Sequence, residues 1–377
     1  MDNRIRGFDG LRAIAVLMVF LQHRLLSSRN DTGHLGVWIF FALSGFLITG
    51  ILSAQRQRID IGASHFSTEI KRFLFRRTLR IFPIYYLLLT VMALLMMLGF
   101  ASPQLKGGLP FHFAYLSNIW VGEKLRYWPG PYSHLWSLSI EEQFYLFFAP
   151  LLLLAPLRWH RSICFAVFAA GVFSMWWMHA VGLPEIVIYT HPLTNFWLLA
   201  LGGIGGAWLR QDGSMLKRVL SHPASFFALL LLVAAFCTTE PQWTQTARPL
   251  AYTSICTLYG IAIAALVCSI ACSSSARLLG LLEIGWLVSL GRISYGFYLY
   301  HNFVPNPAHM GRVRALFHGA PVPGWAQLLG AGVSFAVALL LAKLSWRYIE
   351  QPILRHKTEW TMRVVNASAA RTGVYER

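Results

Sequence analysis

Apolar runs of about 20 residues, separated by short polar or basic clusters, recur along nearly the whole chain, and a run of that length crosses the hydrocarbon core of a bilayer as a helix. The pattern predicts about ten such spans, near 11–29, 35–54, 80–100, 139–156, 162–180, 193–210, 224–240, 250–271, 285–304 and 324–346. The expected fold is therefore an all-α integral membrane protein, with a transmembrane body over 1–350 and a short polar cytoplasmic tail over 351–377. The third span follows the basic stretch RFLFRRTLRIFPIYY, from which an interfacial helix could enter the membrane with a break at Pro83.

Composition supports that reading. With 56% hydrophobic and 12% charged residues, too few polar side chains remain to cover a soluble surface. The net charge of +17 sits in short clusters between apolar runs instead of one basic stripe, so it points to membrane topology and not to nucleic acid. The clusters are densest at Arg56, Arg58, Lys71, Arg72, Arg76, Arg77 and Arg80, whereas the segment after the third span carries only Lys106, Lys124 and Arg126. Both termini are expected in the cytoplasm, with the loop around 102–134 outside. A cleaved signal peptide is the competing reading of the N-terminus, but His23 and Arg24 stand where a cleavage site would need small residues. The five cysteines, Cys164, Cys237, Cys256, Cys268 and Cys272, form no CxxC and read as small buried thiols. The histidines show neither HxxxH nor HExxH, so no metal is expected.

The stretch DGLRAIAVLMVFLQHRLL, Asp9 to Leu26, is apolar enough for lipid yet carries Asp9, Arg12 and His23. Ionisable groups at membrane depth face a protein interior or a water-filled space, so this helix is read as lining a site. Arg12 and His23 are eleven residues apart, which is about 16 Å along a helix axis and close to one face. In HLWSLSIEEQFYLFF, His134 falls at the outer surface, Glu141 just within the outer leaflet and Tyr145 one turn deeper. GRISYGFYLYH places Arg292 near the inner end of the ninth span and His301 near its outer end. Two polar clusters are thus predicted: His23, His134, Glu141 and His301 outside, and Arg12, Arg292 and the Arg76/Arg77/Arg80 set inside.

Planar arginine forks suit the phosphates of a nucleotide-like donor. A histidine oriented by a carboxylate suits proton abstraction from a hydroxyl, so Glu141 is expected to orient or charge His23. Donor and acceptor would meet in one pore. Each piece also has a plainer reading: the arginines snorkel to lipid phosphates, and His134 and His301 are interfacial hydrogen-bonders. His23 and Glu141 fit the plainer readings least, because each lies inside an apolar helix. A transporter or lipid flippase, with Arg12, His23 and Glu141 as a proton relay, is the rival reading from another class.

Five pieces in this order carry a resemblance: RGFDGLRAIAVLMVFLQH, with an Arg-x10-His at Arg12 and His23; FFALSGFLI; RRTLRIFPIYY, with an RxxR at Arg77 and Arg80; HLWSLSIEEQFYL; and GRISYGFYLYH. Together they make the chain resemble acyltransferase family 3, the membrane O-acyltransferases. The resemblance implies transfer of an acyl group, commonly acetyl, from cytoplasmic acetyl-CoA to hydroxyls of carbohydrates, lipid-linked glycans or similar acceptors, often outside a bacterial inner membrane. Some members carry a fused SGNH-hydrolase-type domain; the expectation here is a stand-alone member. In these terms His23 is the catalytic base and Arg12, Arg76, Arg77, Arg80 and Arg292 hold acyl-CoA. Asp9, His134, Trp136, Tyr145, Tyr298 and His301 line the pore. Ser44 and Gly45 shape it by packing, an acylated Ser44 being the alternative.

Overall fold

A computed structural model describes residues 4–26, 32–99, 103–211, 214–244, 248–307, 322–357, 359–361 and 363. All regular elements among them are helical. The principal helices are α1 (Phe8–Arg24), α2 (Thr32–Asp60), α3 (Phe66–Met97), α4 (Leu135–Leu154), α5 (His160–Ala180) and α6 (Leu193–Gln211). They are followed by α7 (Pro223–Thr244), α8 (Pro249–Cys272), α9 (Gly285–Arg292), α10 (Ser294–His301) and α11 (Gly324–Ser345).

Six helical stretches among the described residues are long and apolar enough to cross a membrane: Thr32–Asp60, Phe66–Met97, Gly130–Leu154, Leu157–Ala180, Pro249–Cys272 and Gly324–Arg355. The other predicted runs are helical too, though none of them meets both of those conditions over its described residues. The α1 helix has 17 residues, and α7 is apolar over Pro223–Ala235. The ninth span is divided at Ile293 into α9 and α10, eight residues each. Such a break within a membrane protein is tolerated where protein, not lipid, surrounds the freed backbone groups. The third span begins at Phe66 and runs unbroken through Pro83. The expected tail starts as a helix over Gln351–Arg355, joined to α11 by a wide turn at Trp346–Glu350; residues 364–377 lie outside those described.

The α2 helix is central. Of its apolar window 83% is buried, against 17% for the stretch containing α5, and it packs on α1, α4, α6 and α8. Around it, α3, α5 and α11 turn Leu87, Leu94, Phe165, Trp177, Leu329 and Leu340 outward, the apolar belt that lipid requires. The segment between α3 and α4 folds against them instead of hanging free: Tyr85 Oη donates to the His112 carbonyl at 2.8 Å and Gln143 Nε2 to that of Tyr115 at 2.8 Å. Cys164, Cys256 and Cys268 are buried and Cys272 half-buried; the Cys237 side chain lies outside those described.

Without a hydrophobic force between helices in lipid, small residues decide how closely backbones approach. A Cβ at Gly45 would lie 1.7 Å from the Leu199 carbonyl oxygen, so α2 and α6 touch backbone to backbone. At Gly291 a Cβ would lie 1.9 Å from the Asp9 carbonyl oxygen, which brings α9 equally close to α1. The α1 helix is thereby held between α2 and the α9–α10 pair.

Overpacking of this kind destabilises by about 1–3 kcal/mol or more. Gly45→Ala should therefore lower the thermal unfolding midpoint in detergent. Gly332→Ala, where a Cβ meets nothing within 4 Å, should leave it unchanged. Equal midpoints for the two variants would contradict the close α2–α6 approach.

Candidate active site

Three histidines converge where α1 and α10 end and α4 begins. His301 Nδ1 lies 2.6 Å from the Tyr298 carbonyl oxygen, and a carbonyl can only accept, so this nitrogen carries the proton. His301 Nε2 is then an acceptor. It faces His23 Nδ1 at 2.9 Å, so His23 donates from Nδ1 and its Nε2 carries the lone pair. His134 is fixed likewise: its Nε2 donates to the Leu299 carbonyl at 3.1 Å. His134 and His301 are buried, at 2% and 0% exposure, whereas His23 is exposed. Arg24 ties the ends of α1 and α10 together by donating to the carbonyls of His301 and Val304.

Tyr145, buried in α4, centres a second cluster. Its hydroxyl donates to Glu141 Oε1 at 2.9 Å, and accepts from Ser44 at 2.6 Å and from Arg77 Nη2 at 3.0 Å. One donor and two acceptor positions exhaust a phenol. The Arg77 guanidinium also lies 4.4 Å from the centre of the Tyr145 ring. The charges of Arg12, Arg77 and Glu141 surround Arg80, yet the Arg80 side chain is exposed.

The third cluster forms on Asp9, which is buried at 7% exposure. Its carboxylate accepts from Arg4 Nε at 2.7 Å and Arg12 Nη1 at 3.1 Å, with Arg292 Nε at 3.9 Å. Arg4 continues to Glu283 at 2.8 Å, and Glu283 also accepts from the Gly7 backbone N–H at 2.6 Å.

His23, His134 and His301 therefore meet as the sequence suggested, although His134 is enclosed by protein and not at a surface. Glu141 makes its described hydrogen bond to Tyr145, one turn along the same helix, while His23 makes its own to His301. Arg76 diverges from Arg77 and Arg80. It is placed with Arg58, Arg72 and Glu69, where Arg58 and Arg72 each reach the Glu69 carboxylate at 2.6 Å. Tyr298 Oη bonds Ser137 at 2.6 Å and donates to the His134 carbonyl at 3.2 Å, fixing the wall behind the histidines. Trp136, 4% exposed, packs on Phe41 and Tyr189. No group of three or more His, Cys, Asp or Glu among the described residues is placed to hold a metal.

Sequence reasoning passed over Arg24, Asn302 and Glu350. Asn302 Nδ2 approaches His134 Nδ1 at 3.5 Å. Glu350, buried, accepts from Ser345 at 3.1 Å and lies among the charges near Arg80. The signal for Glu350 was present, a carboxylate closing an apolar span in WRYIEQP.

A family model described as an acyltransferase domain matches residues 5–343. Among curated relatives, the peptidoglycan O-acetyltransferase OatA of Listeria monocytogenes is 29% identical over 374 residues, covering 93% of this chain and 56% of that protein. The putative peptidoglycan O-acetyltransferase YrhL of Bacillus subtilis is 31% identical over 370 residues, covering 93% and 55%. The putative O-acetyltransferase SACOL0978 of Staphylococcus aureus is 29% identical over 373 residues, covering 92% and 57%. The chain thus spans about half the length of the curated relatives it matches. No solved structure matches it. With a family match over nearly its whole length and the motif residues gathered at the two ends of α1, the chain belongs to acyltransferase family 3.

Proposed function

We propose that this chain is an O-acetyltransferase of the bacterial cytoplasmic membrane. It takes acetyl from acetyl-CoA at the inner face and passes it to a hydroxyl of a cell-envelope glycan at the outer face. The observation that carries this reading is the placement of a tautomerically fixed histidine at one end of α1 and an arginine cluster at the other. Relatives whose names specify peptidoglycan O-acetylation support a glycan acceptor.

In this reading the CoA phosphates stay at the inner face, because their charge excludes them from hydrocarbon. Arg12, Arg77 and Arg80 stand nearest the route of the pantetheine arm. His23 Nε2 removes the proton of the acceptor hydroxyl as its oxygen attacks the thioester carbonyl. The resulting imidazolium still donates from Nδ1 to His301, whose lone pair stabilises the new charge. CoA leaves as thiolate and takes up a proton, and the acetyl ester forms. His301 thereby fills the orienting role that sequence depth suggested for Glu141. Glu141 instead holds Tyr145 and offsets charge among the arginines.

Loss of a general base typically lowers a rate by about 10²–10⁴-fold, so His23→Ala should do so in proteoliposomes given labelled acetyl-CoA and a glycan acceptor. His301→Phe should lower turnover with little change in acetyl-CoA affinity. The double variant should be little worse than His23→Ala, because residues acting as a unit are non-additive. Transport without release of free CoA would instead establish the transporter reading.

On the donor side, Arg77→Ala and Arg80→Ala should each weaken acetyl-CoA binding by about tenfold, the factor for loss of one charge-assisted contact. Lys71→Ala, on the exposed face of the same helix, should not. Calorimetry in detergent measures this, and an equal loss in all three variants would reduce the effect to general surface charge.

A further inference from the structure

A cavity of about 460 Å³ opens at the end of the bundle where the N-terminus enters, lined among others by Arg4, Glu283, Ser289, Arg292, Lys343 and Trp346. It is separate from the Tyr145 cluster but adjoins it through Asp9, which touches Arg292 on the cavity side and Arg12 on the other. Pockets of 300–1,000 Å³ with a few convergent polar groups are the usual size for one small ligand.

The lining has a definite chemical character. Arg4 is committed to Asp9 and Glu283. Arg292 reaches Asp9 only at 3.9 Å, and its side chain is 56% exposed. Lys343 is exposed and forms no ion pair among the described residues. Two cations are therefore available to a ligand, one a planar fork and the other a compact point charge. The Ser289 hydroxyl stands one turn before Arg292. Trp346 offers a half-buried indole, a flat apolar surface suited to an aromatic base. Glu283, anchored by Arg4 and the Gly7 N–H, adds a carboxylate that can accept from an amino group or a ribose hydroxyl. Paired cations, a stacking surface and a fixed acceptor together recognise a phosphorylated adenosine.

We propose that this cavity seats the 3′-phosphorylated adenosine end of CoA, with Lys343 and Arg292 on phosphate and Trp346 against the base. The arm then runs past Asp9 and Arg12 towards Arg80 and Tyr145. This rests on the acetyl-CoA reading above and assigns the nucleotide end to α9 and α11, not to the arginines of α3. A lipid headgroup has the same phosphate chemistry but no ring for Trp346.

The test uses the full chain in phosphatidylcholine nanodiscs, with calorimetric titration of CoA, 3′-dephospho-CoA and adenosine 3′,5′-bisphosphate. Lys343→Gln should weaken CoA and the bisphosphate by about tenfold, and Lys343→Arg should largely restore both. Dephospho-CoA should bind more weakly and be insensitive to Lys343→Gln. Trp346→Leu should weaken all three ligands, and a matched unfolding midpoint would establish that each variant is folded. Wild-type CoA affinity in both Lys343→Gln and Trp346→Leu would overturn the cavity assignment while leaving the donor reading intact. No CoA binding by the unaltered protein would overturn both. Displacement of the bisphosphate by phosphatidylglycerol, with no competition from CoA, would give the cavity to lipid and overturn the proposal.

Discussion

Asp9 is the contact on which the inner half of the structure depends. A carboxylate withdrawn from water is tolerated only when fully compensated, and removing one partner of a buried pair leaves a charge that costs about 3–5 kcal/mol. Here one carboxylate accepts from Arg4 and Arg12 and attracts Arg292, three cations from the segment before α1, from α1 and from α9. Their meeting point fixes where the ninth span approaches the first. Gly291 permits that approach, since any side chain there would collide with the Asp9 backbone. The N-terminal segment is drawn in as well, through Arg4 and the Gly7 N–H on Glu283. The wall of the basic cavity follows from the same contacts.

The other end of α1 is fixed by different means. Arg24 satisfies two carbonyls at the end of α10, and the His23–His301 hydrogen bond sets one ring against the other. Since His301 is itself oriented by the Tyr298 carbonyl, the proton positions on both rings follow from backbone geometry. One helix thus carries an anion-attracting end and a basic end at a separation set by its own rise, about 16 Å over eleven residues. The spacing is that of a rigid rod and needs no moving part to maintain it.

Much of this was legible in the sequence because it depends on period and depth. The apolar runs marked the helices, and the helical rise placed Arg12 and His23 at opposite ends of α1 and gathered His134 and His301 near His23. Orientation about a helix axis was not legible. Glu141 lies at a depth compatible with His23, but its described hydrogen bond goes to Tyr145, four residues along the same face, and Arg77 joins that pair from α3. Arg76 is adjacent in sequence to Arg77, yet one residue turns a helix by about 100°, and Arg76 faces the Glu69 ion pairs. Pro83 leaves α3 unbroken, whereas the ninth span divides at Ile293, two residues after Gly291. Glu350 was passed over because its role comes from a wide turn after α11 that brings it near Arg80.

The packing also bears on how such a protein could act across a bilayer. Alternating access needs one group of helices to rock against another around a fixed site. Here α2 and α6 meet at Gly45 and Leu199 with no room for a methyl group, and α1 and α9 meet as closely at Gly291 and Asp9. Arg24 joins α1 to α10 at the opposite end. Rocking of α1 against α9, or of α2 against α6, would have to open these backbone contacts. Under the proposed function a fixed bundle would avoid this, because the long arm of an acyl-CoA donor, and not a movement of helices, would span the distance between the arginines and the histidines. The ion pairs on Asp9 and the Arg24 contacts tie α1 to its neighbours at both ends, which is what such a division of labour would require.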